Sequence, residues 1–433
     1  MVDLPLARHD LSATFAYCRG RAVSSTEFLR DVARLAAALP ERRYVINMCS
    51  DRYRFTVGFA AALLRRQTTL MPPNRTADFI ERLERRYVDI QRLDDDAFGA
   101  LPALWSQDAM PVVPENHLAA ILFTSGSTGE PQAHPKSWGM LVAAARAELE
   151  RFGALVAAGM TLVATVPPQH MYGLESTVLM ALQGALVLHA GRPFFPADIC
   201  AELDVLPRPR GLVTTPVHLR ALLEGSGELP PLDFLLCATA PLSPHVAAEA
   251  EARFRAPLHE IYGCTEAGQI ATRRTVATLE WQMYRQFRMR QDEKGTWVNS
   301  GHATAELLLG DVIELGEAGR FLLYGRTGDL VNIAGKRTSL ANLNYHLNSI
   351  AGVRDGAFVI PADSQGAVTR LAAFVVAPGC SDEDILAALR KRIDAAFLPR
   401  PLHLVDALPR NDVGKLPRLA IDDLSERLTA KTG

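Results

Sequence analysis

Apolar positions along the chain fall into two alternating rhythms. Residues 24–38 open on Ser24-Ser25-Thr26, a hydroxyl N-cap candidate, and continue with Phe28, Val32, Leu35 and then Leu39 at helical spacing. Tyr44 to Met48 is a short unbroken apolar run that predicts a buried strand. Phe55 to Leu64 predicts a helix, and Thr69 to Met71 a strand that stops at Pro72-Pro73. Residues 91–117, rich in Asp and Pro, predict a surface connection. The same rhythm then resumes, with a helix over Trp138 to Phe152, a strand over Thr161 to Val166, a turn at Pro167-Pro168 and a helix from about Ser176 to Leu182. Leu186 to His189, Gly211 to Thr214 and Phe234 to Ala238 predict further strands separated by helices. Such alternation predicts an α/β fold with sheets of parallel character. From Trp281 to about Leu323 the period shortens to small strands and Gly-bearing turns, such as Asp292 to Gly295 and Gly316 to Gly319. After Asp329 a separate small α+β module is expected, with a helix over Asp382 to Phe397. The division is therefore a large N-terminal domain, 1–328, with a strand-rich subdomain, and a C-terminal domain, 329–433.

Composition narrows the class. With 433 residues, 48% hydrophobic and 22% charged, each of two or three domains can bury its own core. A net charge of −2, from 46 basic and 48 acidic residues, gives no basic footprint for nucleic acid. No apolar run reaches the roughly 20 residues that cross a bilayer, and the first ten residues lack a cationic start and apolar signal core, so a cytoplasmic location is expected. The cysteines (Cys18, Cys49, Cys200, Cys237, Cys264, Cys380) have no C-x-x-C spacing and are expected reduced.

Chemistry collects first where an apolar strand from Ile121 runs into Thr124-Ser125-Gly126-Ser127-Thr128-Gly129-Glu130-Pro131. Hydroxyls at Thr124, Ser125, Ser127 and Thr128 can donate to phosphate oxygens, while Gly126 and Gly129 let backbone N–H groups converge on an anion. Lys136 follows within reach. Taken alone, such a cluster is equally well a solvated turn. The spacing is not that of G-x-x-x-x-G-K-[ST], G-x-G-x-x-G or a G-x-S-x-G elbow.

Thr124 to Pro131 resembles the signature loop of the adenylate-forming superfamily: acyl-CoA synthetases, luciferases and the adenylation domains of peptide synthetases. Gln132 stands where the family has lysine directly after the proline, and Lys136 lies four residues on. Glu260-Ile-Tyr-Gly-Cys-Thr-Glu-Ala-Gly268 resembles the family's Y-G-x-T-E motif. The resemblance implies that Tyr262, beside Gly263, stacks on adenine, that Thr265 meets the α-phosphate and that Glu266 holds Mg²⁺. A hard cation of that kind takes one or two carboxylates plus nucleotide phosphates. Cys237 to Leu242 is similar to the adenine cradle, with Ala238, Thr239 and Ala240 where the family more often has Gly.

Pro167 to Gly173 resembles the segment that gates the acyl pocket. His170 is then the gate, and Gln169, Met171, Tyr172, Thr215 and Pro216 line the pocket. Leu309-Gly-Asp311 followed by Gly325-Arg326 resembles the family's ribose-binding segment, which assigns Asp311 to the ribose hydroxyls and Arg326 to ribose or phosphate. Thr327-Gly-Asp329 copies the same T-G-D letters, but alignment by Gly335-Lys336-Arg337 puts Asp329 at the inter-domain hinge. Leu408 to Lys415 resembles the catalytic-lysine loop, so residues 329–433 are expected to act as a mobile lid that delivers Lys415.

The resemblance implies that ATP and Mg²⁺ activate a carboxylic acid to an acyl-adenylate with release of pyrophosphate, and that a thiol then takes the acyl group. The compact build and the T-S-G-S-T-G-E-P-x-x-x-x-K-x-W variant look most like stand-alone hydroxybenzoate:acyl carrier protein ligases of xanthomonadin and aryl polyene pathways. The acceptor is then an acyl carrier protein or coenzyme A. Residues 330–433 hold 13 basic and 11 acidic side chains, with Arg390-Lys391-Arg392 expected on one helix, a patch suited to an acidic carrier or to phosphates. Two other classes are weighed: an adenylate-binding protein without turnover, and a hydrolase that uses Cys264 with nearby His259 or a loop serine.

Overall fold

The structure, a computed structural model, describes residues 2–99, 109–125, 131–225, 227–300, 306–333, 335–360, 370–410, 416, 420, 421, 423 and 424. Two sheets dominate. In the smaller, Ile90–Leu93, Tyr44–Asn47, Thr68–Met71 and Leu118–Ser125 lie side by side and parallel, and Pro131–Ser137 returns antiparallel at the edge. The larger has eleven strands among the described residues. Leu258–Cys264, Phe234–Cys237, Arg210–Thr214, Thr161–Ala164, Val187–His189 and Thr14–Cys18 run parallel through its middle. Antiparallel strands, including Gly268–Arg273, Arg320–Arg326 and Asp311–Leu315, extend one edge into the strand-rich region foreseen after Trp281. The fold is the α/β class expected, with large part and strand-rich subdomain.

One core joins the two sheets, running through Phe15, Phe28, Phe55, Phe59 and Trp138 to Leu174, Val178 and Leu182. Helix Ser25–Ala38 begins in a capping box, the Ser24 hydroxyl accepting from Glu27 N (3.1 Å) while the Ser24 N–H donates to the Glu27 carboxylate (2.8 Å). Helix Arg52–Leu64 is buried on nearly every side, as its almost uninterrupted apolar sequence requires. Its first residue is an exception to that composition. Arg52 is fully buried, and its guanidinium donates to Thr177 Oγ1 (2.9 Å), Ala164 O (3.0 Å) and Val166 O (2.7 Å). Burial draws its pKa down to about 9.

The C-terminal residues build a second, smaller core. A hairpin of Leu330–Ile333 and Lys336–Ser339, helix Leu340–Asn348, helix Asp382–Arg390 and a sheet of Asp355–Val359, Ala372–Val376 and Leu402–Leu404 enclose Val331, Leu343, Leu347, Phe358, Val375 and Ile385. The Ser339 hydroxyl donates to Tyr324 O in the large part.

Three expectations need correction. Residues 91–117 include structured pieces, since Val112–Pro114 pairs with Asp3–Pro5 and Asp95–Phe98 is a short 3₁₀ turn capped by Asp94. The helix expected from Ser176 starts at Met171 and passes through a π-helical stretch, Leu174–Leu179. The helix expected over Asp382 to Phe397 ends at Arg390, because the Asp394 carboxylate accepts from Ala396 N (3.0 Å) and from Lys336 Nζ (2.5 Å) and so starts a new turn. Arg390, Lys391 and Arg392 accordingly sit at a helix end rather than along one helix.

Replacing Arg52 by Met leaves two strand-end carbonyls and the Thr177 hydroxyl without a donor, and the expected loss is on the order of 3 kcal/mol or more. Arg52→Lys, lacking the planar fork, is expected to recover less than half of it. Urea unfolding of both variants checks this.

Candidate active site

The parallel strands of the large sheet end together, and the candidate residues follow their carboxyl ends, where open α/β sheets place ligands. Thr215 and Pro216 come directly after Arg210–Thr214, Ala238 to Ala240 after Phe234–Cys237, and Thr265 and Glu266 after Leu258–Cys264. Thr239 takes φ +88°, a left-handed conformation that costs a β-branched residue about 1–3 kcal/mol. This is the stretch in which the resembling family favours glycine. Gly263 stands at a register shift between Leu258–Cys264 and Gly268–Arg273, and a Cβ there would collide with Gly268 O.

The smaller sheet delivers the other wall. Leu118–Ser125 leads into residues 126–130 and Pro131–Ser137 leads out, so the loop tops a β-hairpin rather than joining a strand to a helix. Gly126, Ser127, Thr128 and Gly129 lie outside the described residues, as does the Ser125 side chain. Thr124 Oγ1 and His134 Nε2 are 2.8 Å apart, and the same ring nitrogen is 3.6 Å from Glu266 Oε1. Two residues on, Lys136 Nζ donates to Glu266 O at 2.6 Å. Period-two alternation puts His134 and Lys136 on one face of the return strand, so His134 lies beside the side chain of Glu266 while Lys136 holds its main chain. Sequence reasoning missed His134. Its spacing from Lys136 was the available signal.

Lys136 is placed beneath Glu266, 2% exposed, with its pKa lowered by burial against the pull of Glu175, Cys264 and Glu266.

Tyr262 OH donates to Asp311 Oδ2 at 2.7 Å, and the Tyr262 ring packs against Trp281 and Phe321. Asp311 pairs across the strands with Arg326, and burial raises its pKa while Arg326 opposes the rise and Asp329 and Glu266 add to it. The structure thus brings together Thr124, Lys136, Tyr262, Glu266, Asp311, Arg326 and Asp329. Thr265, half-buried, precedes Glu266.

In the acid-pocket segment His170 precedes the short helix Met171–Gly173, and Gln169 is buried with Oε1 lacking a partner among the described residues. Thr215 Oγ1 lies 2.8 Å from His218 Nδ1. Tyr172 OH sits between Thr214 O (3.1 Å) and Leu236 O (3.0 Å), so its polar end ties two strand ends and only its ring remains to face a pocket. Lys415 is outside the described residues. In the C-terminal body Asp355 accepts from Arg410 Nε and Nη2 (2.7 and 2.8 Å) and lies 3.7 Å from Arg220 Nη2 of the large part.

A family model described as AMP-binding enzyme matches residues 36–293. The chain belongs to this family. It is 28% identical over 301 residues to a 4-coumarate–CoA ligase of Rhodobacter capsulatus, a match covering 68% of this chain and 74% of the relative. A 2-succinylbenzoate–CoA ligase of Staphylococcus epidermidis is 22% identical over 340 residues, 71% of each chain. Among solved structures, the o-succinylbenzoate CoA synthetase of Bacillus subtilis in complex with its acyl-adenylate intermediate superposes with a TM-score of 0.76 at 16% identity, covering 98% of this chain and 99% of that one. ATP-bound MatB from Rhodopseudomonas palustris gives 0.75 at 17% identity, covering 94% of each. At such identities these two structures speak for the fold.

The donor set suits a magnesium ion that arrives with a nucleotide. Glu266 presents one carboxylate, one-third exposed, and among the described residues no group of three or more His, Cys, Asp or Glu could hold a metal unaided. A cysteine nucleophile is poorly served in this AMP-binding enzyme. Burial pushes the Cys264 thiol up to about 12, and the His259 ring, pressed against Phe152 and Phe234, is driven down to about 4 by burial. No helix among the described residues is long and apolar enough to cross a membrane.

Behind Lys136 lies a buried polar group. Burial, reinforced by Glu175, pushes the Glu148 carboxyl up to about 8, and burial pushes Glu175 up to about 7, with Lys136 opposing. Unfolded carboxyls titrate near 4.5, so these two favour the folded chain fully below that value and cease to do so as pH rises through about 7 to 8. Melting temperature is expected to fall between pH 5 and pH 8, and Glu148→Gln to shrink that fall. An unchanged difference in the variant would contradict the assignment.

Proposed function

We propose that this enzyme activates a hydroxybenzoic acid with Mg·ATP and passes the acyl group to the phosphopantetheine thiol of an acyl carrier protein. The observation that supports the reading best is the clamp on Glu266, flanked by Thr124 on one side and by Tyr262 and Asp311 on the other. A carboxylate whose main chain is held by Lys136 and whose oxygens stay one-third exposed would be a ready ligand for a magnesium ion that comes with the nucleotide. Magnesium bound there would neutralise phosphate charge. The chain's own groups then divide the work. Thr124, Thr265 and residues 125–129 hold the phosphates; Tyr262 with Ala238 to Ala240 receives the adenine; Asp311 and Arg326 hold the ribose; His170 orients the carboxylate that attacks the α-phosphorus.

Attack of the carboxylate oxygen forms the acyl–phosphate bond as the bond to the bridging oxygen of pyrophosphate breaks. Lys415, carried by residues 329–433 turning about Asp329, stabilises the charge that develops. A thiol then attacks the acyl carbon and AMP leaves. A second reading, with coenzyme A as acceptor, is favoured by relatives that are named CoA ligases. The exposed Arg390, Lys391 and Arg392 suit either an acidic carrier or the phosphates of coenzyme A.

Pyrophosphate release measured across benzoates and fatty acids tests the substrate class, and preference for long alkyl chains would remove the aromatic reading. Incubating the preformed adenylate with coenzyme A or with pantetheinylated carrier separates the acceptors. Lys415→Ala is expected to lower adenylation by on the order of 10²-fold or more. His134→Ala is expected to raise the magnesium concentration for half-maximal nucleotide binding by about tenfold or more, read by calorimetry rather than turnover.

A further inference from the structure

We propose that Lys136 and Glu175 form the blind end of the acid pocket and select acids bearing a hydroxyl group remote from the carboxylate. The inference rests on the acid-activating reading above and assigns the hydroxyl's binding site. A narrow cavity is lined by Lys136, Met140, Met171, Glu175, Ala267 and Phe287. Met171 follows His170 and Ala267 follows Glu266, so two of its lining residues are chain neighbours of the expected carboxylate gate and the expected metal ligand.

Its polar groups are mismatched with their surroundings in a particular way. Glu175 is 1% exposed, and its Oε2 accepts from Gln269 N at 3.2 Å. Its other oxygen, Oε1, meets no hydrogen-bond donor among the described residues. Among the described residues Lys136 spends one N–H on Glu266 O, which leaves two more to give. The absence of a side chain at Gly268 preserves the space, since a Cβ there would lie 2.7 Å from Glu175 Oε1 and 3.4 Å from Met171 Cε. The neighbouring Gln269 amide is already committed to Ser176 Oγ (2.7 Å), and Tyr284 OH to Gln269 Oε1 (3.2 Å). What is left over is one buried acceptor and an ammonium with free donors. A hydroxyl matches this pair, since it donates one hydrogen bond and accepts another. An unsubstituted ring would leave Glu175 Oε1 and the remaining Lys136 donors buried without a new partner, the circumstance in which binding sites discriminate most strongly.

The test compares benzoate with 3- and 4-hydroxybenzoate on the full-length enzyme by two readouts: calorimetric binding of each acid in the presence of AMP, and pyrophosphate release with Mg·ATP. Wild type is expected to favour at least one hydroxylated acid by on the order of 10²-fold. In Glu175→Leu the ratio is expected to collapse towards one, whatever the absolute rate. If that variant does not fold, the isosteric Glu175→Gln is read instead, with the ratio lowered at least about tenfold. Equal binding of all three acids by wild type, or a full preference surviving in the variant, overturns the inference. Preferential binding without pyrophosphate release from any acid would sustain the hydroxyl site while refuting the acid-activating reading.

Discussion

A guanidinium buried with no counter-charge among the described residues is the constraint on which the architecture turns. Arg52 leaves water only because two strand-end carbonyls and one hydroxyl replace its hydration, and those acceptors belong to the large sheet and the segment that follows it, while the arginine opens a helix of the smaller one. The bond to Val166 is made immediately before Pro167-Pro168, so the cation that locks the two sheets together also fixes where the chain turns towards His170. Packing alone would let two apolar faces slide; a planar donor with three acceptors does not.

Lys136 repeats the logic at the other side of the seam. Its strand is an edge of the small sheet, its acceptor a carbonyl after the central strands of the large one. With His134 two residues earlier, the edge strand meets Glu266 at both its main chain and its side chain. Thr265-Glu266 and the segment Pro131–Ser137 are thereby set against each other. The replacement of the family's post-proline lysine by Gln132 leaves that segment intact.

Much of this was legible in the sequence because local rules governed it. Helix Trp138–Phe152 was read to the residue, and Tyr44–Asn47, Thr68–Met71, Thr161–Ala164, Val187–His189, Arg210–Thr214 and Phe234–Cys237 to within one or two, since apolar runs bounded by turn residues have few alternatives, whereas Thr14–Cys18 and Ile90–Leu93 were not read. The pairing of Tyr262 with Asp311 brings together residues that motif spacing had put in one site. What stayed hidden involves burial of polar groups. His134, Glu148 and Glu175 look like residues of solvated faces, and only tertiary packing decides that they point inward. The π-helical stretch from Leu174 was illegible for a related reason: its register is set by Thr177 and Glu175 finding partners on other elements, not by propensity. Residues 91–117 misled because their Asp and Pro content masks a strand that needs the distant segment Asp3–Pro5 to exist.

The carboxylate of Asp355 is shared unequally between two arginines. Its bidentate grip on Arg410 is internal to the C-terminal body, whereas the longer approach to Arg220 crosses to the large part. A change in the placing of one part against the other would break the longer arm before the shorter, and Arg410 would keep its place beside Asp355. The longer arm is a Coulombic approach whose two side chains are only 15% and 17% exposed, so salt screens it little more than it screens the bidentate pair, and length rather than solvent separates the two arms.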